Sequence, residues 1–177
     1  ATDPPRAIDM LDRLNAFLRA TLAASRSDAQ GNAHTLRDEF ARLGDYLELM
    51  AVRMGPRLRV RLELPEPLAD LPVPPLLLQP LVENAIKYAV AKREQGCTLS
   101  LRAHAHEDWL ELEFCDDGPG SPAFAPGAPE PRGVGLRNTR ERLATLYAHR
   151  QRLSVENRPE GGVRVRITLP LELDHRA

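Results

Sequence analysis

Glu83, Asn84 and Lys87 stand close together in the stretch LLQPLVENAIKYAV, Leu77 to Val90. At 3.6 residues per turn they share one face of a helix, while Leu78, Leu81, Val82, Ala85, Ile86 and Ala89 form an apolar stripe on the other. A carboxylate and an amide offer hard oxygen atoms of the kind Mg²⁺ prefers, and an ammonium suits a phosphate. The same pattern also describes a core helix with a solvated face and one Glu83–Lys87 pair. Two further stretches carry comparable chemistry. DDGPG, Asp116 to Gly120, ends a strand-like segment with two carboxylates and two glycines, the composition of a turn or of a close approach to a ligand. GVGL, Gly133 to Leu136, opens an apolar-periodic segment, where free N–H groups and the positive end of a helix dipole favour an anion, although a tight turn reads the same way. The chain lacks a GxxxxGK[ST] loop and a six-residue dinucleotide fingerprint.

The elements that must position these residues follow from periodicity. Ala7, Leu11, Leu14 and Leu18 predict one helix. Leu36, Phe40, Leu43, Leu47, Met50 and Met54 predict a second, opened by a capping box of Thr35 and Asp38 and closed by Gly55 and Pro56. Joined by a polar turn, the two make an antiparallel hairpin expected to pair with a second copy as a four-helix bundle, the alternative being a hairpin packed on its own domain. Leu58, Val60, Leu62 and Leu64 alternate with charged residues as a half-buried strand. Thr98–His104 and Trp109–Cys115 read as a β-hairpin, and Arg152–Glu156 and Val163–Leu169 as two more strands. Pro80 places a helix start, or a bend, near Gln79. Ser121 to Arg132, with four prolines, reads as a loop.

Composition narrows the possibilities. The 177 residues are 42% hydrophobic but only 5% aromatic, enough for one aliphatic core. A net charge of −1 gives no reason to expect nucleic acid or an anionic membrane as partner. No apolar run approaches a membrane span. Lys87 and Lys92 are the only lysines in an otherwise arginine-based set. Cys97 and Cys115 have no CxxC spacing and read as buried free thiols, and His104 and His106 as an exposed strand face rather than a metal pair. The chain opens at Ala1 without a methionine, which fits either a piece of something longer or removal of an initiator methionine.

VENAIKYA, then DDGPG after a strand, then GVGL opening a helix, resembles in that order the ATP-binding domain of histidine kinases and their relatives among the gyrase, chaperone and mismatch-repair ATPases. LRDEFARLGDYLELMAVRMGPRLRV running into PPLLLQPLVENAIKYA is similar to sensor kinases of the LytS and AlgZ type. The resemblance covers roughly Leu11 to Pro170. It implies an α/β fold, a two-layer sandwich with a mixed sheet and helices on one face, at 56–177, preceded by a helical dimerisation hairpin at 1–55. It implies that Glu83 is a catalytic base or polarising group, Asn84 a Mg²⁺ ligand, and Lys87 a phosphate neighbour. Asp116 would accept the adenine amino group, Gly118 and Gly120 would admit the base, and Gly133, Gly135 and Leu136 would place a helix N-terminus on the phosphates. The implied ligands are ATP and Mg²⁺. The implied partners are a response regulator and a second copy of the chain, with no nucleic acid and no membrane contact by this stretch. Placement is cytoplasmic, compatible with a parent protein anchored in the bacterial inner membrane.

The sequence departs from that family in places. Tyr88 stands where histidine is common, Ala89–Val90 where a glycine is, and Gly162–Val163 where Gly-Thr is. The PHFLFN-like box that carries the phosphate-accepting histidine is absent, and His34 lacks such neighbours. The chain is therefore expected to bind ATP without phosphorylating itself. An ATP-hydrolysing or nucleotide-switch member of the superfamily, and a non-catalytic dimerisation module, are the alternatives.

Overall fold

The computed structural model describes residues 34–91, 93–125 and 134–171. The first helix of the expected hairpin, and Gly133, lie outside them. Helix α1 spans Leu36–Met54. It opens as expected: the Thr35 hydroxyl accepts from the Asp38 N–H, and the Asp38 carboxylate accepts the Thr35 N–H at 2.9 Å. Strand β1, Leu58–Glu63, leads through a proline-rich connection to α2, Gln79–Ala85. Pro80 sits in the first turn of α2, where its missing N–H costs nothing. The helix then widens into a π-turn over Ile86–Val90, closed by the Ala91 N–H on the Ile86 carbonyl. Strands β2, Cys97–His106, and β3, Trp109–Asp116, form the hairpin; α3 spans Val134–Tyr147, and β4 (Arg152–Asn157) and β5 (Val163–Pro170) close the chain.

The five strands form one mixed sheet in the order β1-β2-β3-β5-β4, with β1 parallel to β2 and every other pair antiparallel. Strand parity decides which face is covered. Leu99, Leu101 and Ala103 on β2, Leu110, Leu112 and Phe114 on β3, and Val165, Ile167 and Leu169 on β5 are all buried and lie side by side in register. The intervening positions carry charge: Glu113 pairs with Arg166 at 3.1 Å and with Arg164 at 3.3 Å, and Arg102 pairs with Glu63 at 3.1 Å. Helices therefore cover one face and an ionic ladder the other. Among the described residues no helix is long and apolar enough to cross a membrane.

Three features differ from the sequence reading. The stripe Leu36, Phe40, Leu43, Leu47 and Met54 of α1 joins the same core as the sheet, so α1 packs on the α/β layer itself. The β1 strand is present, but only Leu58 is buried; Val60 and Leu62 are each 37% exposed. β1 is an edge strand, and the residue of α1 opposite Leu62 is Gly44, too small to cover it. Glu83 does not pair with Lys87. Its carboxylate accepts from Gln79 Nε2 at 2.7 Å, while Lys87 lies 5.0 Å from the ring centre of Tyr88. Cys97 and Cys115 are buried and free, as expected. Burial pushes the Cys97 thiol up to about 12, so it stays protonated and unreactive.

Ile167 is fully buried at the centre of the sheet, between Leu112 and Leu153 in register. Ile167→Ala is expected to lower the unfolding free energy by about 2–5 kcal/mol, read from the urea midpoint, with no change of fold by circular dichroism.

Candidate functional site

Asp116 continues the parity of Leu110, Leu112 and Phe114, so its carboxylate must point to the helix-covered face. It is 5% exposed. One carboxylate oxygen accepts the Gly118 N–H at 2.8 Å, and the Asp116 carbonyl accepts from Arg158 at 3.0 Å. Burial is the largest influence on this carboxyl and raises its pKa; the N–H of Gly118 only partly offsets that. Two glycines make the geometry possible. A Cβ on Gly162, whose φ is +88°, would stand 1.9 Å from the Asp116 carbonyl oxygen. One on Gly118 would stand 2.6 Å from the Ala89 Cβ and 2.7 Å from the Asp116 carboxylate. The room at Gly118 is thus used by the protein itself, to bring the end of α2 against the end of β3. Its neighbour Asp117, just past the end of β3, is half-buried and turns to the start of β2. Burial would raise that carboxyl, but bonds from the Cys97 thiol and from Thr98, whose N–H is 2.7 Å away, outweigh it and hold the pKa low.

A cleft of about 470 Å³ opens above the Asp116 carboxylate, within the size range of small-ligand sites. One wall is α2 and its π-turn, contributing Leu81, Asn84, Ala85, Lys87, Tyr88 and Ala89. The α-helical part contributes Leu81, Asn84 and Ala85 to this wall, and the π-turn contributes Lys87, Tyr88 and Ala89. The floor is Phe114, Val155, Val163 and Val165 of the sheet. The far side is Gly120, Ser121, Phe124 and the start of α3 at Gly135 and Leu136. Gly135 lies close to Asn84: a Cβ there would be 3.4 Å from the Asn84 amide nitrogen. Thr139 steadies this end by donating to the Gly135 carbonyl at 3.0 Å. Asn157 holds the loop after β3 with a two-way clasp on the backbone of Ser121, 2.8 Å to its N–H and 2.8 Å to its carbonyl.

Of the residues singled out in the sequence, Asn84, Lys87, Asp116, Gly120, Gly135 and Leu136 line this one cleft. Gly118 stands behind it. Glu83 is exposed, held by Gln79, and outside the lining. Gly133 lies outside the described residues. Sequence reasoning missed the apolar lining. Val163 and Val165 could have been found from strand alternation, since they share the parity of Ile167. Phe124 carried no signal, because it sits in a proline-rich loop without periodicity. The π-turn carried none either.

A family model described as histidine kinase-, DNA gyrase B- and HSP90-like ATPase matches residues 74–173. Another, described as histidine kinase, matches residues 1–58. The chain is 29% identical over 136 residues to the sensor histidine kinase YesM of Bacillus subtilis, covering 77% of this chain and 24% of that protein. It is 28% identical over 181 residues to the sensor protein LytS of Enterococcus faecalis, covering 96% of this chain and 30% of that one. It therefore spans less than a third of these relatives. Among solved structures, the histidine kinase domain of a blue-light-activated kinase from Erythrobacter litoralis superposes with a TM-score of 0.60 at 23% identity, covering 92% of this chain and 75% of that one. The nucleotide-free catalytic domain of the histidine kinase ThkA gives 0.60 at 19% identity, covering 78% and 95%. At those identities the shared property is the fold.

The raised Asp116 carboxyl predicts a pH signature. A buried acid that holds its proton more tightly when folded loses stability as pH rises from its ordinary value, 3.8, through the raised one. Asp116→Asn removes that titration. The stability of the protein relative to this variant is expected to fall with pH across that window and to level off above it. Urea midpoints of both proteins, measured in steps from about pH 3 to neutrality, check this; a pH-independent difference contradicts it.

Proposed function

The chain belongs to the histidine kinase-, DNA gyrase B- and HSP90-like ATPase family, and from that premise we propose that it is the ATP-binding catalytic region of a two-component sensor histidine kinase. The observation that carries the reading is the convergence of Asn84, Lys87, Asp116 and the α3 N-terminus on a single cleft. In this reading Asp116 accepts the amino group of adenine, and the apolar floor of Val155, Val163 and Val165 takes the ring. Phosphates lie toward Lys87 and the free N–H groups at the start of α3. The closeness of the Asn84 side chain to Gly135 supports that placement, because it puts the amide beside the start of α3.

Mg²⁺, when bound, neutralises charge on the phosphate oxygens. Asn84 supplies it a hard oxygen ligand, which fits an ion held by few protein groups and by substrate. Lys87, on the same wall, orients the phosphates as a point charge. Glu83 keeps the role of base or polarising group, and it must leave Gln79 to take it up.

In this reading His34 does not serve as the phosphate acceptor. That ring is buried, with Nε2 2.9 Å from the Glu39 carboxylate. The phosphoryl group would pass to a histidine outside this chain and then to a response regulator. Pairing of two copies through the helical segment is supported by the match of residues 1–58 to a histidine kinase model, and the boundary near residue 55 by the end of that match at residue 58. Placement on the cytoplasmic side of a membrane-anchored parent belongs to the same proposal.

Asn84→Ala is expected to weaken Mg²⁺–ATP binding about tenfold or more while leaving the thermal unfolding transition in place, measured by titration calorimetry. Equal affinity for both proteins would remove Asn84 from the site. No binding by the unaltered protein would defeat the reading as a whole.

A further inference from the structure

A second buried carboxylate lies away from the cleft. Glu39, in the first turns of α1, is 1% exposed. Its oxygens accept four donors: the Leu78 N–H at 2.8 Å, the Leu76 N–H at 3.1 Å, His34 Nε2 at 2.9 Å and an Arg42 guanidinium nitrogen at 3.4 Å. A carboxylate only accepts, so His34 donates here. Leu78 is the N-cap of α2 and has no side-chain cap of its own. Leu76 is held at φ +58°, a left-handed conformation that a leucine adopts only when its surroundings fix it.

The same connection is held from other directions. Its carbonyls at Leu71 and Ala69 accept the Leu36 and Arg37 N–H groups at 2.9 and 2.8 Å, so it caps the start of α1. The Val73 N–H returns a bond to the His34 carbonyl at 2.9 Å. Arg142 of α3 donates to the Pro75 carbonyl. The connection thus caps the start of α1, and α1 through Glu39 caps the start of α2, which carries Asn84.

We propose that Glu39 is a positioning residue for the nucleotide site, tying the start of α2, and with it the orientation of Asn84, to the position of α1. A change in α1 imposed from upstream then reaches the cleft through this joint. Glu39 has to be a carboxylate: a glutamine of the same shape would turn its own N–H₂ toward at least one of four donors. This inference goes beyond the nucleotide reading, and only its binding arm rests on that reading.

The test compares the full chain with Glu39→Gln and with Leu43→Ala, which weakens the same helix through the core without touching the joint. The first readout is amide hydrogen exchange without nucleotide. Loss of bonds to a charged acceptor is expected to speed exchange across residues 76–85 by about tenfold or more in Glu39→Gln, with β2 and β3 unchanged. Leu43→Ala should not single out that segment. Unchanged protection at 76–85, or a loss spread evenly over the chain, overturns the proposal. The second readout is Mg²⁺–ATP affinity, expected to fall about tenfold in Glu39→Gln, and less in Leu43→Ala. Equal affinities, with faster exchange at 76–85, would also overturn it, since the start of α2 would then be loosened without consequence for the site. If Glu39→Gln does not fold, Arg42→Met removes one donor and leaves both backbone bonds; it is expected to speed exchange at 76–85 about threefold, and no change there overturns the proposal. A wild type that binds no nucleotide defeats the functional reading and leaves the exchange arm to decide on the joint.

Discussion

The structure turns on one constraint: a carboxylate placed on the apolar face of a sheet. Strand parity forces Asp116 inward beside Leu99, and burial there is unfavourable for a charge. The surroundings answer that cost locally. A backbone N–H reaches the carboxylate from Gly118, Arg158 takes the carbonyl, and glycines at 118 and 162 leave room for the chain to close around it. No side-chain cation reaches the carboxylate at bonding distance among the described residues, so it keeps acceptor capacity toward the cleft. A position that costs stability and faces a cavity is where a ligand gains most by supplying a donor.

Glu39 is the counterpart at the other end of the site helix. It too is a buried acceptor that takes backbone N–H groups, here two of them, beside two side-chain donors. The difference lies in what each one faces. Asp116 opens to the cleft, whereas Glu39 is enclosed by His34, Arg42 and the connection before α2. Between the two, α2 is held at its start by α1 and at its end by the close contact of Ala89 with Gly118. The π-turn at the second of these points carries Lys87 and Tyr88 of the cleft wall. A wall fixed at both ends is suited to presenting a metal ligand in one orientation.

Much of this could be read from the chain alone. The apolar stripe of α2, the capping box at Thr35, the β2–β3 hairpin and the order of the three glycine- and acid-bearing motifs all depend on short-range patterns, and all stand where periodicity placed them. That Asp116 faces inward also follows from parity with Leu112 and Phe114. What escaped depends on contacts distant in sequence. Glu39 is not among the residues singled out in the sequence, and nothing local marks its two backbone partners, which lie 37 and 39 positions away. The heptad of α1 fitted a helical seam equally well as a sheet, because an apolar stripe does not specify what it packs against. Glu83 and Lys87 had the right spacing to pair, but the widened turn and Gln79 redirected them.

The most direct test is a structure of the protein with Mg²⁺ and a non-hydrolysable ATP analogue. The expected result has the adenine amino group within hydrogen-bonding distance of the Asp116 carboxylate, and the phosphates between Asn84 and the start of α3. A nucleotide seated elsewhere, or a cleft left empty at saturating nucleotide, would contradict the account.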